Sequence, residues 1–336
     1  MRILLLVHEA LIPKDQPMTE KQLDEVLWKT EYDVFQSLKR NKFNVKILGV
    51  SEELKPLREA IEEFKPHLVF NLLEEFKGEA IFDQNIVSYL EIMNVKYSGC
   101  NPRGLILSRD KALCKKILRY HRIPTPDFMV FPLNKSIKKI ADNKFPLFVK
   151  TLNEESSTGI SMHSVVYDNK QLRERVLFLQ GRYQTDVIAE TFIDGNEYYV
   201  GVLGNQKLEV FTPWKLYLDG LPDNYPRVAT EKVKWDTNYR NKYNIKTGMA
   251  EDLSPIEQNK LKALCKKAYK VLGISGYARM DIRRNSKGDF FILEVNPNPD
   301  IGFGEDFAKS AEISGYDYDM LIKKIIHLGK KWQPKS

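Results

Sequence analysis

The 336-residue sequence has only three cysteines, Cys100, Cys114 and Cys265, and they are scattered along the chain. So few and so widely spaced cysteines exclude a disulfide framework and a zinc site built from several thiolates. No apolar run is long enough to span a bilayer, and the run over residues 3–7 is too short for a signal peptide. We therefore expect no membrane association and a location in the reducing cytoplasm.

Charge of one sign is not concentrated in any segment. The 52 Lys and Arg residues exceed the 45 Asp and Glu residues for a net charge of +7, but they are spread along the chain. This excess favours anionic ligands only weakly, and no recognised nucleic-acid motif accompanies it, so we expect no nucleic-acid partner. Internal repeats and low-complexity tracts are also absent. The length predicts two or three globular domains.

Strand and helix patterns alternate in the first hundred residues. Buried-strand patterns cover 3–7, 45–50 and 67–72, and helical periodicity covers 22–38 and 56–64. Alternation of this kind is typical of a parallel sheet covered by helices. We therefore predict an α/β domain over residues 1–100.

The patterns beyond residue 100 are interrupted by longer polar segments. They predict a helix over 110–120 and strands over 145–150, 164–167, 186–190 and 197–203. The segment 212–252 is rich in Tyr, Trp, Asn and Lys and has little periodicity. Because segments of this length without regular structure are usually functional lids or disordered, and because this one is aromatic, it is predicted to be a lid that docks.

The most informative pattern is a predicted β-hairpin near the C-terminus, in which two strand patterns flank a polar turn. Strand pairing puts Asp281 opposite Glu294, with Asn296 on the face of Glu294 and Arg279 on the face of Asp281. Three oxygen-bearing side chains on one face suit Mg²⁺, and the arginine adds a permanent cation. A solvated face would explain any one of these residues. Four at this spacing favour a site that holds and transfers a phosphoryl group.

The loop from Glu154 to Ile160 follows a predicted strand that ends in Lys150. Its small hydroxyl residues and its glycine would let backbone N–H groups approach an anion closely, while the lysine supplies a point charge. The loop is not a P-loop, because no Gly-Lys-Ser/Thr sequence closes it. Taken alone, it is more typical of a surface turn.

The segment from Glu190 to Glu197 is predicted to be a strand end, a short linker and a new strand. An extended linker offers backbone N–H and C=O groups to a purine edge, and a carboxylate such as Glu197 can accept hydrogen bonds from ribose hydroxyls. An ordinary β-turn at Asp194 and Gly195 is the alternative that this segment alone leaves open.

The combination and order of these motifs resembles the ATP-grasp family, and most closely its D-alanine–D-alanine ligases, over nearly the whole chain. The resemblance implies an α/β fold, α+β in the ATP-grasp part, in which two subdomains clasp the nucleotide. It divides the chain into a Rossmann-like parallel-sheet domain over 1–100, a central subdomain over 101–188 and a C-terminal subdomain over 189–332. The last of these contains the mobile loop 212–252.

The resemblance also implies roles for individual residues. The metal ligands would be Asp281, Glu294 and Asn296, and the catalytic residues Arg279 and Lys242, the latter brought in by the mobile loop. Nucleotide-binding residues would be Lys111, Lys150, Ser156, Ser157, Thr158, Gly159, Glu190, Thr191, Phe192, Ile193, Glu197 and Leu293. Candidate substrate contacts are His8, Glu9, Glu79, Tyr243, Glu305 and Asp306.

Two segments depart from the ligase pattern where that family binds its amino acids. A His8-Glu9 sequence replaces the glycine- and serine-rich loop after the first strand, and Glu305 and Asp306 stand where hydroxyl donors are expected. Because carboxylates repel a substrate carboxylate, an amine or cationic acceptor is predicted at the second place.

The predicted activity is that of an ATP-dependent carboxylate–amine ligase, which forms an amide through an acyl phosphate. Its cofactors would be ATP and Mg²⁺, with Mn²⁺ as an alternative metal. Its partners would be small carboxylate and amine substrates, D-alanine or others, and the resemblance implies a homodimer. The alternative hypothesis is a regulatory module that binds ATP without ligase turnover.

Overall fold

The computed structural model describes residues 1–23, 25–153 and 159–334. Its strands are β1 (Arg2–His8), β2 (Asn44–Val50), β3 (Leu68–Asn71), β4 (Phe128–Phe131), β5 (Leu147–Thr151), β6 (Val165–Val166), β7 (Val187–Thr191), β8 (Gly195–Leu203), β9 (Glu209–Val210), β10 (Trp214–Tyr217), β11 (Lys246–Met249), β12 (Tyr277–Asn285) and β13 (Phe290–Pro297). Its α-helices are α1 (Glu20–Leu23), α2 (Lys29–Arg40), α3 (Lys55–Phe64), α4 (Asp83–Ile92), α5 (Pro102–Arg109), α6 (Lys111–Tyr120), α7 (Asn169–Tyr183), α8 (Glu231–Trp235), α9 (Thr237–Lys242), α10 (Pro255–Val271), α11 (Asp306–Ile313) and α12 (Tyr318–Lys331).

The first sheet is parallel, with the strand order β2-β1-β3. The central strand β1 is apolar along its length, and Ile3 to Val7 are fully buried, because helices cover both faces of such a sheet. This confirms the predicted parallel sheet in the first hundred residues. The helix predicted over 22–38 is confirmed over 29–38 but is not continuous, since α1 ends at Leu23 and α2 begins at Lys29. Leu27, which continues the helical periodicity, is 88% exposed and does not face the core.

The other two sheets are antiparallel. The second has the order β4-β7-β5-β6, and the third has the order β11-β10-β8-β12-β13 with β9 paired to β8. These sheets carry most of the predicted site, because Lys150 lies on β5, Glu190 on β7, Glu197 on β8 and the predicted hairpin is β12–β13. The mixture of one parallel and two antiparallel sheets confirms the predicted fold class.

The segment before α5 is joined to the residue after β13 by a hydrogen bond from backbone to side chain. The backbone N–H of Cys100 donates to Asn298 Oδ1 at 2.7 Å. The neighbouring Gly99 has a φ of +92°, and a Cβ there would lie 2.6 Å from the same oxygen. Only glycine meets both the conformational and the steric demand. The contact holds the end of β13 against the N-terminal part of the chain.

The segment 212–252 has more regular structure than its sequence predicted. Strands β10 and β11 pair with each other and extend the third sheet, and helices α8 and α9 lie between them. Elements of four to six residues are too short to produce a clear periodicity. The longest part without helix or strand is 218–230. Whether this segment moves stays a prediction.

Hydrophobic packing connects the first and third sheets. One core cluster contains Leu4 and Leu6 of β1 together with Val200 of β8 and Met280 of β12. The division at residues 100 and 188 stays a prediction. Strand β7, a member of the second sheet, lies across the second of these positions.

Candidate active site

The hairpin β12–β13 has the predicted register. Asp281 pairs directly with Glu294, and Arg279 pairs with Asn296, so the four side chains lie on one face. The register shifts between Asp281 and Ile282, which leaves Leu293 without a paired residue on β12. The carbonyl oxygen of Leu293 is therefore available, and it accepts a hydrogen bond from a lysine described below. The alternation of polar and apolar residues along the strands does not reveal this irregularity.

Arg279 is fixed by its neighbour two residues along the same strand. Its Nε and Nη2 donate to the two carboxylate oxygens of Asp281, at 2.8 and 3.0 Å, a bidentate geometry that suits a guanidinium group. Its guanidinium also lies over the ring of Tyr199, 5.0 Å from the centroid. Burial works against the charge, but Asp281 and Tyr199 outweigh it and raise the pKa of Arg279. The site thus contains a permanent, immobilised cation.

Lysines surround two glutamates, Glu294 of the hairpin and Glu190 of β7. Lys150 Nζ lies 3.4 Å from Glu190 Oε1 and 3.9 Å from Glu294 Oε2, and Lys111 Nζ lies 3.5 Å from Glu294 Oε1. Burial raises the pKa of Glu294, but Lys111, Lys150 and Lys234 together hold it at about 2. Glu294 is therefore a carboxylate at neutral pH, as a metal ligand must be.

Lys115 is a further part of this cluster that sequence reasoning missed. Its Nζ lies 3.3 Å from Glu190 Oε1 and donates to Leu293 O at 2.8 Å and to Thr125 Oγ1 at 3.1 Å. It is 1% exposed, and burial lowers its pKa. The signal was its place four residues after Lys111 on a predicted helix, which puts both lysines on one face.

Glu197 is held by two side chains. Arg283 Nε donates to Glu197 Oε2 at 3.2 Å, and the Tyr199 hydroxyl donates to Oε1 at 3.1 Å. Arg283 also donates to the carbonyl oxygen of Ile193 at 2.7 Å and lies over the ring of Phe192. Sequence reasoning missed this arginine as well, although it lies two residues from Asp281 and therefore on the same face of β12.

The linker between β7 and β8 uses some of its own backbone groups. The Thr191 N–H donates to Asp127 O at 2.7 Å, and the Phe192 N–H donates to Pro146 O at 3.1 Å. The purine hydrogen bonds expected from this linker must therefore come from other groups, such as the Ile193 N–H.

One pocket brings most of these groups together. The residues that line it and were predicted from the sequence are Lys150, Glu190, Thr191, Phe192, Ile193, Glu197, Asp281, Leu293 and Glu294. Gly159 does not line it; its carbonyl accepts a hydrogen bond from Arg175. Ser156, Ser157 and Thr158 lie outside the described residues. The arrangement joins an apolar slot to a cluster of cations and four carboxylates, which suits a nucleotide and its phosphates.

The family model that describes the C-terminal part of D-alanine–D-alanine ligases matches residues 117–327 of this sequence. The match covers the second and third sheets almost entirely. This chain belongs to the D-alanine–D-alanine ligase family. The predicted membership and the predicted class of enzyme, an ATP-dependent ligase that joins a carboxylate to an amine, are therefore confirmed.

Individual relatives extend the likeness to the N-terminal part. The D-alanine–D-alanine ligase of Pelotomaculum thermopropionicum is 29% identical over 320 residues, 90% of this chain and 92% of the relative. The ATP complex of the Bacillus anthracis D-alanine–D-alanine ligase superposes with a TM-score of 0.74 at 22% identity, over 98% of this chain and 97% of the other. The VanG D-Ala:D-Ser ligase of Enterococcus faecalis has a TM-score of 0.70 at 19% identity, over 98% and 99%.

Two residues predicted for the mobile loop of this ligase lie away from the pocket. Lys242 is exposed, with its Nζ 5.0 Å from the centroid of the neighbouring Tyr243 ring. Tyr243 packs on Tyr239, with ring centroids 4.8 Å apart. A different lysine from the same segment, Lys234 of α8, lines the nucleotide pocket. Sequence reasoning missed Lys234 because α8 has only five residues, too few to show helical periodicity.

The residues predicted to contact the substrates do not lie together in one site. His8 and Glu79 line a large cleft beside the first sheet, where His8 Nε2 lies 3.4 Å from Glu75. Glu9 is exposed in the 3-10 turn that follows β1.

Two more of these residues lie at the start of α11. Asp306 accepts a hydrogen bond from Thr247 at 2.6 Å. Burial, together with the neighbouring Asp300, raises the pKa of Glu305.

Asn296, the third predicted metal ligand, lines a narrow passage beside Glu294. In the described part of the chain, no helix is both long and apolar enough to cross a membrane.

Proposed function

We propose that this ligase transfers the γ-phosphoryl group of ATP to a substrate carboxylate and then joins the activated acyl group to an amine. The first step breaks the β–γ bond of ATP and forms an acyl phosphate and ADP. In the second step the amine attacks the carbonyl carbon, phosphate leaves, and an amide forms with loss of a proton. The observation that carries this proposal is the pairing of Asp281 with Glu294, surrounded by Arg279, Lys111 and Lys150.

The oxygen donors of the hairpin fit a magnesium ion. Asp281 and Glu294 supply carboxylate oxygens and Asn296 an amide oxygen, which is the hard donor set that Mg²⁺ prefers; Mn²⁺ would take the same ligands. Both carboxylates face one another across the hairpin, so one ion can be shared between them. When bound, the ion would neutralise negative charge on the β- and γ-phosphates.

The cations of the site have separate roles in this proposal. Arg279, oriented by Asp281, stabilises the transferring phosphoryl group and later the tetrahedral oxyanion. Lys150 and Lys111, each beside Glu294, bind phosphate oxygens. The exposed Lys242 is the weaker candidate for a closing lysine, and Lys234, which lines the pocket, is the stronger one.

The nucleoside would occupy the slot beside the β7–β8 linker. Phe148 and Leu293 provide apolar walls for the base, and Ile193 provides backbone groups. Glu197, whose oxygens Arg283 and Tyr199 orient, would accept hydrogen bonds from the ribose hydroxyls. Catalysis then consists mostly of positioning and electrostatic stabilisation.

The direct test is ADP release by the purified protein with Mg-ATP, with mass spectrometry of the products. The first reactions would contain D-alanine alone and D-alanine with D-serine, because the relatives named above are ligases of D-alanine with D-alanine or D-serine. A panel of other amino acids, dipeptides and amines follows. Substrate-dependent ADP release with an amide product is expected. Tight Mg-ATP binding with no ADP release across the panel would contradict ligase turnover and favour the regulatory alternative.

We also propose a cytoplasmic location and a homodimer. The location is supported by the cysteines, all of which are buried free thiols, as is usual for proteins of a reducing compartment. The proposal of a homodimer rests on the family resemblance. The mass of the protein in solution, measured by light scattering, tests this proposal.

A further inference from the structure

A wide cleft of about 1300 Å³ lies between the first sheet and the rest of the molecule. Its charged lining is strongly acidic. The carboxylates on its walls are Glu31, Glu74, Glu75, Glu79, Asp110 and Asp300. In the described residues, the only side chains in this lining that can carry positive charge are His8 and Arg109. His8 lies beside Glu75 and Arg109 beside Asp83, so neither offsets the acids around Glu31.

Glu31 is the unusual member of this lining. It lies on α2, is only 5% exposed, and its carboxylate has no ion-pair partner among the described residues. Burying a carboxylate without a counter-charge is costly. Neighbouring acids add to this cost, because Asp300 acts on the same group and raises its pKa further. The fold nevertheless retains the carboxyl group on the wall of an open cleft.

Asp300 is held in place opposite α2. Its Oδ1 accepts hydrogen bonds from Thr30 Oγ1 and from the Gly302 N–H, both at 2.8 Å. Thr30 is the residue before Glu31 on α2, so this bond brings the two acids to the same part of the cleft. The two carboxyl groups come from opposite ends of the sequence, yet the structure holds them together with no basic residue of the described cleft lining between them.

The cleft continues toward the catalytic centre through a narrow passage. Glu74, Arg109 and Asn298 line both the cleft and the passage, and Glu294 and Asn296 line the passage. Ser108 also lines it; its hydroxyl is buried and has no hydrogen-bond partner among the described residues. A polar ligand that extends from the cleft to the hairpin would satisfy this hydroxyl.

We propose that the amine acceptor of this ligase carries a second positive charge, and that Glu31 and Asp300 bind it. This inference rests on the proposed ligase function and names its acceptor class: a diamine, a basic amino acid or a similar polyamine. One nitrogen loses its proton and attacks the activated carbonyl near the hairpin. The other stays an ammonium or guanidinium ion and pairs with the buried carboxylate.

The charge of the cleft separates the acceptor from the donor. A donor carboxylate would be repelled by Glu31 and Asp300 and is attracted instead to Arg279 and the lysines of the nucleotide site. An ammonium group has the opposite preference.

The first test measures binding by calorimetry, in excess Mg²⁺ and a non-hydrolysable ATP analogue. The probes are matched pairs that differ by one charge: 1,4-diaminobutane against 1-aminobutane, lysine against norleucine, and arginine against citrulline. In at least one pair, the member with the additional positive charge should bind about tenfold more tightly than the other. Equal affinities within all three pairs would overturn the proposal, whether or not ADP is released in the activity assay.

The second test assigns the effect to Glu31. E31Q should remove most of the preference and leave the affinity for the member with one charge fewer nearly unchanged, and D300N should do the same to a smaller degree. The control is E63Q, because Glu63 is an exposed acid outside the cleft whose carboxylate lies 3.6 Å from Lys46 Nζ. A preference that persists in both E31Q and D300N would overturn the assignment. Melting temperatures of the variants verify that each is folded.

Discussion

The nucleotide pocket and the substrate cleft are neighbours with opposite charge. In and around the pocket, Lys111, Lys115 and Lys150 lie beside Glu190 or Glu294 and Arg279 pairs with Asp281, whereas the cleft gathers carboxylates around Glu31. In the pocket nearly every charge has a partner, so it is structured before any ligand binds. In the cleft a buried charge lacks one among the described residues. In the proposed reaction, the pocket contains the groups needed for every substrate, and the cleft selects the acceptor.

The largest effect is expected from removing the fixed cation of the pocket. Arg279→Met should lower kcat by a factor of about 100 to 1000, which corresponds to about 3–4 kcal/mol of transition-state stabilisation. The control is Arg284→Met on the same strand, since Arg284 pairs with Glu257 of α10 and Arg279 with Asp281. Steady-state ADP release measures both, and circular dichroism verifies the fold. Equal losses in the two variants would mean that Arg279 has only a structural role.

The second prediction concerns the buried lysine beneath the pocket. Lys115→Met should reduce the free energy of unfolding by about 3 kcal/mol, because removing one partner leaves Glu190 buried with less compensation. Lys116→Met is the control, since Lys116 is exposed on the same helix. Urea unfolding of both variants provides the comparison. A loss of less than about 0.5 kcal/mol in Lys115→Met would show that Lys150 alone compensates Glu190.

The third prediction distinguishes two lysines of the segment 212–252. Lys234→Met should lower kcat about 10- to 100-fold, because Lys234 lines the pocket and acts on the charge of Glu294. Lys242→Met should change kcat less than about twofold, as expected for an exposed side chain. The reverse order of effects would mean that the segment rearranges when substrates bind and that Lys242 then enters the site.

The sequence predicts those parts of the fold whose structure produces a pattern among neighbouring residues. Residues of β1 are apolar without interruption because both faces are buried, and the register of β12–β13 follows from the alternation of side chains along strands. The pairing of Asp281 with Glu294 could therefore be predicted from the sequence alone. The short elements β10, α8, α9 and β11 contain too few residues for periodicity to show, so that segment was predicted to be a loop.

The parts that the sequence did not predict depend on contacts between distant residues. Lys115 and Arg283 are buried cations, and a charged residue in a sequence ordinarily indicates an exposed position. Glu31 and Asp300 meet only because α2 and the loop after β13 pack together. Glu305 and Asp306 were noted by resemblance as acids near an acceptor site, which stays a prediction. Glu31 is far from both in sequence, and nothing in its local pattern indicates that it is only 5% exposed.

The last effect is on the pH dependence of stability, and it tests the unpaired charge of the cleft directly. Burial, followed by the charge of Asp300, raises the pKa of Glu31 to about 7. The native state therefore binds more protons than the unfolded state between about pH 4.5 and 7, so stability falls as the pH rises through this window. Glu31→Gln cannot ionise. Its advantage over the wild type should be below about 1 kcal/mol near pH 5 and about 2–3 kcal/mol near pH 8.

Other acids near this group titrate in the same range but do not confound the comparison. Burial raises the pKa of Asp33 to about 6 and also raises that of Glu305, but both residues, and Lys29 beside them, are present in both proteins. A saturating diamine should close the gap near pH 8, because the bound cation compensates the charge that Glu31→Gln removes. Urea unfolding at both pH values, with and without the diamine, measures this. A gap that is independent of pH would show that Glu31 is not the unpaired charge of the cleft.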